Sequence, residues 1–590
     1  MILQALYEYY QRKAQDPDSL IAPRGFEWKE IPFIIVIDKE GCFLHLEDTR
    51  EGEGKGKRAK QFLVIKSVAR SGAKSWEIVN IFWDHYGYVL AHPKEDAEKE
   101  KEKEQAQKQQ SSFIKTIQSY ATRFSSNEQF AAVRKFYEIE GNSAKVFEDV
   151  YWRECSKKTG TNLSFRIAGE KHLVAEHPDL YEPVESTLLD AGDLSKNKNR
   201  VCLITGENAP IAILHTATPI LGGKSGAKLV GFQKKSGYDS YYKEQGLNAP
   251  VSQKAEDAYT TALNVLLGKD SHNKYRLGET SVVFWSEKPT LIESTFPFIF
   301  EAPSKDDPDA NVRAIKSFYD SIYTGKLTEE EAVRFYVLGL APNAARISVR
   351  FWKAGTVKEF SERILQHFED LSIIRDDRDS KEFFSLFNLL TTIAFQYKID
   401  NIPPNLVSAV MQSILDGTPY PTSMQMQCLC RIKAQQKVSY IRAAILKAYL
   451  NRKNRNINYL KERDITMGLD LENINQGYLC GRLFAVLEKI QENAQPGINS
   501  TIRDRYYGAA STTPITVFSR LLSLSNHHRE KLSYGSKVYY EKMIQEILGG
   551  IDSNGMPAHL SLDDQSRFAI GYYHQRKALW TSRINDNETI

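Results

Sequence analysis

Three absences narrow what this chain can be. Cysteine is scarce: six in 590 residues, at positions 42, 155, 202, 428, 430 and 480, with only Cys428 and Cys430 close together. They form C-x-C rather than the C-x-x-C half of a zinc site, and no second pair follows, so buried reduced thiols are expected. Long apolar runs are missing too. The purest, Ile31 to Ile37, is far too short to cross a bilayer, and Met1-Ile2-Leu3-Gln4-Ala5-Leu6-Tyr7-Glu8 lacks the basic start and unbroken apolar core of a signal peptide. A soluble, cytoplasmic protein with no membrane partner is the expectation. Finally, no strong charge of one sign is present. Lys and Arg number 78 and Asp and Glu 74, leaving +4, so the chain is no generic polycation and any nucleic-acid contact must come from local patches.

Catalytic signatures are equally thin. Gly223-Lys224-Ser225 resembles the end of a P-loop, but the first glycine of that motif would fall on Thr218 and Pro219 stiffens the turn, which argues against ATP chemistry. Nuclease chemistry needs carboxylates or histidines gathered around metal ions. The tight acid clusters are Asp306-Asp307-Pro308-Asp309 and Asp376-Asp377-Arg378-Asp379, whose Pro and Arg suit solvated loops. His527-His528 are helix neighbours that point apart. No catalytic residue, metal or cofactor is therefore assigned.

What is present is globular composition, 42% hydrophobic and 26% charged, in a length that suits two to four domains. Phe33 to Ile37, a turn at Asp38 to Gly41, and Cys42 to Leu46 predict a β-hairpin. Further strands are expected at Phe62 to Ile65, Tyr86 to Leu90, Val201 to Thr205, Ile211 to Leu214, Leu229 to Phe232 and Ser281 to Trp285. The Lys- and Glu-rich stretch 94–108 predicts a solvated helix or linker. After about residue 310 the spacing turns helical, as in Val357 to Leu371, Phe383 to Tyr397, Leu406 to Leu415 and Ser439 to Leu450, and Thr328-Glu329-Glu330-Glu331 has a helix-starting capping-box pattern. The fold class is α+β: a mixed region over 1–310, a helical region over 311–466, and a small helical bundle over 467–590.

Three segments are candidates for nucleic-acid contact. Gly222-Gly223-Lys224-Ser225-Gly226-Ala227-Lys228 is either backbone able to approach a phosphate or groove closely or an ordinary surface turn. From Arg431 to Arg463 ten Lys or Arg meet one acid, Glu462, a concentration that favours a polyanion contact over a solvated face of mixed sign. Its candidates are Lys433, Lys437, Arg442, Lys447, Arg452 and Lys453. A second patch runs from Arg50 to Lys74 with eight basic residues and two acids, and supplies Lys66, Arg70 and Lys74 as sequence-blind phosphate contacts.

Several blocks resemble the large-subunit family of the type I-C CRISPR Cascade complex. They include Met1 to Leu6, Trp83-Asp84 with Tyr88-Val89-Leu90, Cys202 to Glu207 with Ala209 to Ala212, and Lys243 to Ser252. Tyr259 to Asn264, Val283-Phe284-Trp285, Cys480 to Leu483 and Gly571 to Arg576 complete the series, which thus spans both ends and the middle. The chain departs from the family pattern at His85 and Gln233, where Asn is more usual. The resemblance implies a non-catalytic subunit that contacts the protospacer-adjacent motif of double-stranded target DNA, helps open the duplex and form the R-loop, and docks a helicase-nuclease. Sequence would then be read mainly by guide pairing. Implied partners are crRNA, the Cascade backbone and crRNA-processing subunits, and a separately made carboxyl-terminal small subunit, with Met467 at the polar boundary as its candidate start and Met424 and Met426, which would retain the basic stripe, as alternatives. Asn248, in the Gly246-Leu247-Asn248-Ala249-Pro250 block, is a further candidate DNA contact. A nuclease or ATPase and a pure assembly scaffold are the competing readings.

Overall fold

Five consecutive apolar residues, Phe33–Ile37, are all buried, the pattern of a strand covered on both faces. Each such side chain contributes about 1.5–3 kcal/mol on leaving water. The strand is internal in a four-stranded sheet ordered Phe43–Asp48, Phe33–Ile37, Asn162–Ile167, Trp83–His85. It pairs antiparallel with Phe43–Asp48, through the expected hairpin, and parallel with Asn162–Ile167. A parallel neighbour needs a long crossover, and helices Glu100–Arg123, Glu128–Glu138 and Asn142–Glu148 lie within it. The first buries Phe113, Ile117 and Ala121, one face at four-residue spacing, and leaves most of its Lys and Glu outside.

The computed structural model describes the chain apart from residues 17, 18, 20, 53–56, 68, 69, 71–73, 94–99, 182–198, 225, 234–240, 242, 304, 305, 308, 325–329, 376–381, 457–463 and 588–590. Two units emerge: Met1–Pro219 with Ser225–Val265, and Ile220–Lys224 with Leu266–Ile590. The architecture is α+β, strands and helices mixed as far as Arg346–Thr356 and helices alone beyond it among the described residues.

Several expected strands differ. Tyr86–Leu90 is a helix, because the His85 ring accepts the Gly87 amide at 3.1 Å and caps it. Val201–Thr205 is extended only at Arg200–Val201 and then turns, Ile211–Leu214 adds a single bridge from Ile211 to Ser252, and Leu229–Phe232 forms no strand. Gly206, Pro210 and Gly231 interrupt these short runs, and without partner strands they stay irregular.

In the second unit the sheet is antiparallel throughout, in the order Lys274–Leu277, Thr280–Ser286, Arg334–Asn343, Arg346–Thr356. The last two are the longest strands among the described residues and fall where helix was expected. The capping-box pattern starts no helix among the described residues. Thr328 and Glu329 lie outside them, and Glu330–Val333 turns into the strand. A Cβ on Gly339 in that strand would sit 2.3 Å from the Phe351 ring, so a side chain there must displace that ring. Thr356 then caps Val357–Leu371 with Glu359 in a true capping box. The expected helical segments that follow appear as Leu386–Ile393, Pro404–Asp416 and Tyr440–Asn456. One apolar core runs from Tyr275 to Leu579, so residues on both sides of Met467 contribute to it.

Candidate nucleic-acid interface

The basic patch around Lys66 is largely engaged within its own unit. Lys66 Nζ donates to Asp257 at 2.6 Å. Arg70 donates to Ile78 O at 2.8 Å, grips both carboxylate oxygens of Asp84, and lies 4.1 Å from the Tyr88 ring centre. Asp84 also accepts the amides of Asn80 at 3.0 Å and His85 at 2.8 Å. Burial raises its carboxyl above the ordinary value, and Arg70 and the two amides pull it back. Arg70 and Lys66 therefore brace the fold. Lys74 alone of the three is largely exposed, with Glu77 at 3.6 Å.

These contacts frame a hollow of about 250 Å³ whose lining includes Lys29, Arg70, Asn80, Trp83, His85 and Asn162. Trp83 is buried, with its indole N–H lacking an acceptor. The wall also holds the Asp84 carboxylate, which already takes the Arg70 guanidinium, and this leaves the Trp83 indole as a donor without a partner. Sequence patterning missed this site because its residues come from four separated segments. Of its lining, Arg70 is singled out through the basic patch, and Trp83, Asp84 and His85 only through the family resemblance.

The glycine loop is built for exposure. Gly222 and Gly226 have φ of +81° and +88°, backbone that side-chain-bearing residues rarely adopt, and nothing lies within 4 Å of a Cβ placed on Gly226. Gly223 N donates to Ile220 O at 3.0 Å and Lys224 N to Ala344 O at 3.4 Å, which pins the start of the loop to the tip of the long hairpin. The Lys224 side chain is exposed and has no acidic partner among the described residues. Ser225 lies outside the described residues. Lys228 is half-buried, and its charge joins burial in driving His215 down to about 4. Asn248 spends both side-chain N–H groups on Lys243 O and Gln245 O, each at 3.0 Å, closing its own turn.

The stripe after Arg431 corrects the sequence expectation most sharply. Arg442, Lys447 and Arg452 are buried. Arg442 donates to Thr392 O, Lys437 O and Gln435 Oε1. Lys447 Nζ donates to Asp370 O at 3.0 Å, and Arg452 to Ser413 O at 2.6 Å and Asp370 Oδ2 at 3.2 Å. Lys453 pairs with Asp563 at 2.6 Å, and Lys433 donates to Gln565 at 2.8 Å. The helix Tyr440–Asn456 is buried from Arg442 to Arg452, so Arg442, Lys447 and Arg452 cross-link neighbouring segments, and a phosphate cannot reach those three. Lys437 is exposed. The thiols are free: Cys428, Cys155 and Cys480 are buried and pushed up to about 12, whereas Cys430 is exposed. Cys202, also buried, is lowered to about 7: burial pushes it up, but donors from Ser252 and Thr205 outweigh that.

Among the described residues, no group of three or more His, Cys, Asp or Glu could hold a metal ion, and no helix is long and apolar enough to cross a membrane. A family model described as CRISPR-associated protein (Cas_Csd1) matches residues 6–580. No curated protein matches the chain.

Proposed function

The chain belongs to the Cas_Csd1 family of CRISPR-associated proteins, and from that membership we propose that it is the non-catalytic large subunit of a type I-C Cascade complex. In this role it contacts the protospacer-adjacent motif in duplex DNA, assists strand opening and R-loop formation, and docks the helicase-nuclease, while crRNA pairing reads the target. Backbone and crRNA-processing subunits and a small subunit made from the carboxyl-terminal region are its partners. The observation that carries the reading is the match across nearly the whole chain.

The glycine loop supports the assignment of the DNA contact. Exposed backbone at Gly222 and Gly226 can approach base edges in a narrow groove, and Lys224 supplies charge for a phosphate. Lys74 and Lys437 are exposed cations of the same kind, and Lys228 is half-buried. Purification of the chain from its host, followed by photocrosslinking to a guide-matched duplex, tests the role. DNA adducts on peptides from the Gly222–Lys228 loop, with crRNA and partner subunits in the preparation, are expected. A preparation with crRNA but no DNA adduct on this chain would leave an assembly scaffold as the better account.

A further inference from the structure

Two exposed aromatic rings sit on strained backbone. Phe395 and Tyr397 follow the helix Leu386–Ile393 and are 59% and 57% exposed. Gln396 has φ 55° and Tyr397 φ 57°, successive side-chain-bearing residues in the left-handed region that L-residues seldom enter. Such strain persists only where surroundings impose it. Here Asn401 Nδ2 donates to Phe395 O at 2.8 Å, and Tyr397 OH to Gln435 Oε1 at 3.0 Å. Buried Arg442 ties the same region together: it donates to Thr392 O at 3.2 Å, to Gln435 Oε1 at 2.6 Å and to Lys437 O at 3.1 Å. The rings are thus held outward by a fixed scaffold.

The surrounding charge is mostly positive. The Arg431 guanidinium lies 5.6 Å from the Phe395 ring centre and has no acidic partner among the described residues. Its Nε is buried without an acceptor. Lys398 and Lys437 are exposed, against one exposed carboxylate in these segments, Asp400.

We propose that Phe395 and Tyr397 form a stacking platform for unpaired bases of single-stranded DNA, with Arg431, Lys398 and Lys437 along its phosphates. Every base has a π-face, so such a platform holds a strand without reading it, and paired bases, already stacked, offer it no face. The proposal rests on the reading that this subunit works on opened duplex, whose displaced strand is the occupant. Aromatic and Arg side chains also anchor protein interfaces, but a cationic rim around fixed rings favours a polyanion.

The test is fluorescence anisotropy of a labelled twenty-nucleotide oligo-dT with the full-length chain, alongside unfolding midpoints. Phe395→Ala with Tyr397→Ala should weaken binding on the order of ten- to a hundredfold. Phe395→Leu with Tyr397→Leu should lose as much although it stays apolar, while Phe395→Tyr, which keeps both rings and the Tyr397 hydrogen bond to Gln435, should bind like the parent. Arg431→Gln should lower the salt slope by about 0.7. A leucine pair that binds oligo-dT normally, or a parent that does not bind it, would overturn the platform. So would a leucine pair that keeps the strand but loses other subunits on purification, since the face would then be a protein interface. If strand binding depends on the rings while the complex shows no motif preference in duplex, the platform stands and the proposed role in motif recognition fails.

Discussion

Lys224 and Arg452 carry the same charge in opposite surroundings, and their replacement should separate binding from folding. Lys224 is exposed, so Lys224→Ala should leave the urea midpoint unchanged and lower the salt slope of duplex binding by about 0.9 if one phosphate is lost. Arg452 is buried against Asp370 and the carbonyls of Ser413 and Thr418. Arg452→Ala strands those groups and should cost about 3–5 kcal/mol in urea unfolding. Buried histidines set a pH dependence at the same scale. His367 and His574 are lowered from 6.5 to about 3 and His215 to about 4, burial being the main cause. Above pH 6.5 both states are neutral and stability is full. As pH falls below 6.5 the unfolded state takes the proton first, and stability drains until the folded pKa is reached. Each histidine should lose about 2 kcal/mol by pH 5, and His367→Gln should flatten that part of the profile measured by urea melts.

At the scale of elements, legibility followed periodicity. Phe33–Ile37 and its hairpin were visible because a Gly-containing turn separates two apolar runs, and Val357–Leu371 because its apolar residues recur at helical spacing. The strand Arg334–Asn343 was not, since the run Phe335 to Ala341 is buried throughout and an unbroken apolar run does not distinguish strand from helix. The stripe misled for a reason also present in the sequence. Arg442, Lys447 and Arg452 are five residues apart, about 140° per step around a helix, so they point to three sides, and the Ala, Ile and Leu between them mark a buried helix rather than a solvated face. The hollow by Trp83 and the strained turn at Gln396 depend on contacts between distant segments or on backbone angles, which no local pattern encodes. The helices Gln476–Ala494 and Leu562–Asn587 meet at glycine. A Cβ on Gly481 would lie 2.0 Å from Phe568 O. Gly481→Leu must force the backbones apart, and should cost more than about 3 kcal/mol in the same melts.

For the whole molecule, the continuous core around Met467 shapes what a separately made fragment would be. Met467 is exposed, yet its carbonyl accepts from Ile374 N at 2.8 Å. Beyond it, Asp563 takes Gln425 and Lys453, and Tyr573 OH donates to Ile374 O. A fragment from Met467 keeps the glycine-packed helix pair but loses those partners. Met467→Leu should remove it from the mass spectrum of the purified complex if this start is used. The central claim is that the Gly222–Lys228 loop gives the complex its motif preference. Its most direct test is selection of guide-matched duplexes with randomised flanks by the parent complex and by Gly226→Leu. The parent should enrich one short flanking sequence and Gly226→Leu should bind without that enrichment, whereas the same enriched flank in both would contradict the account.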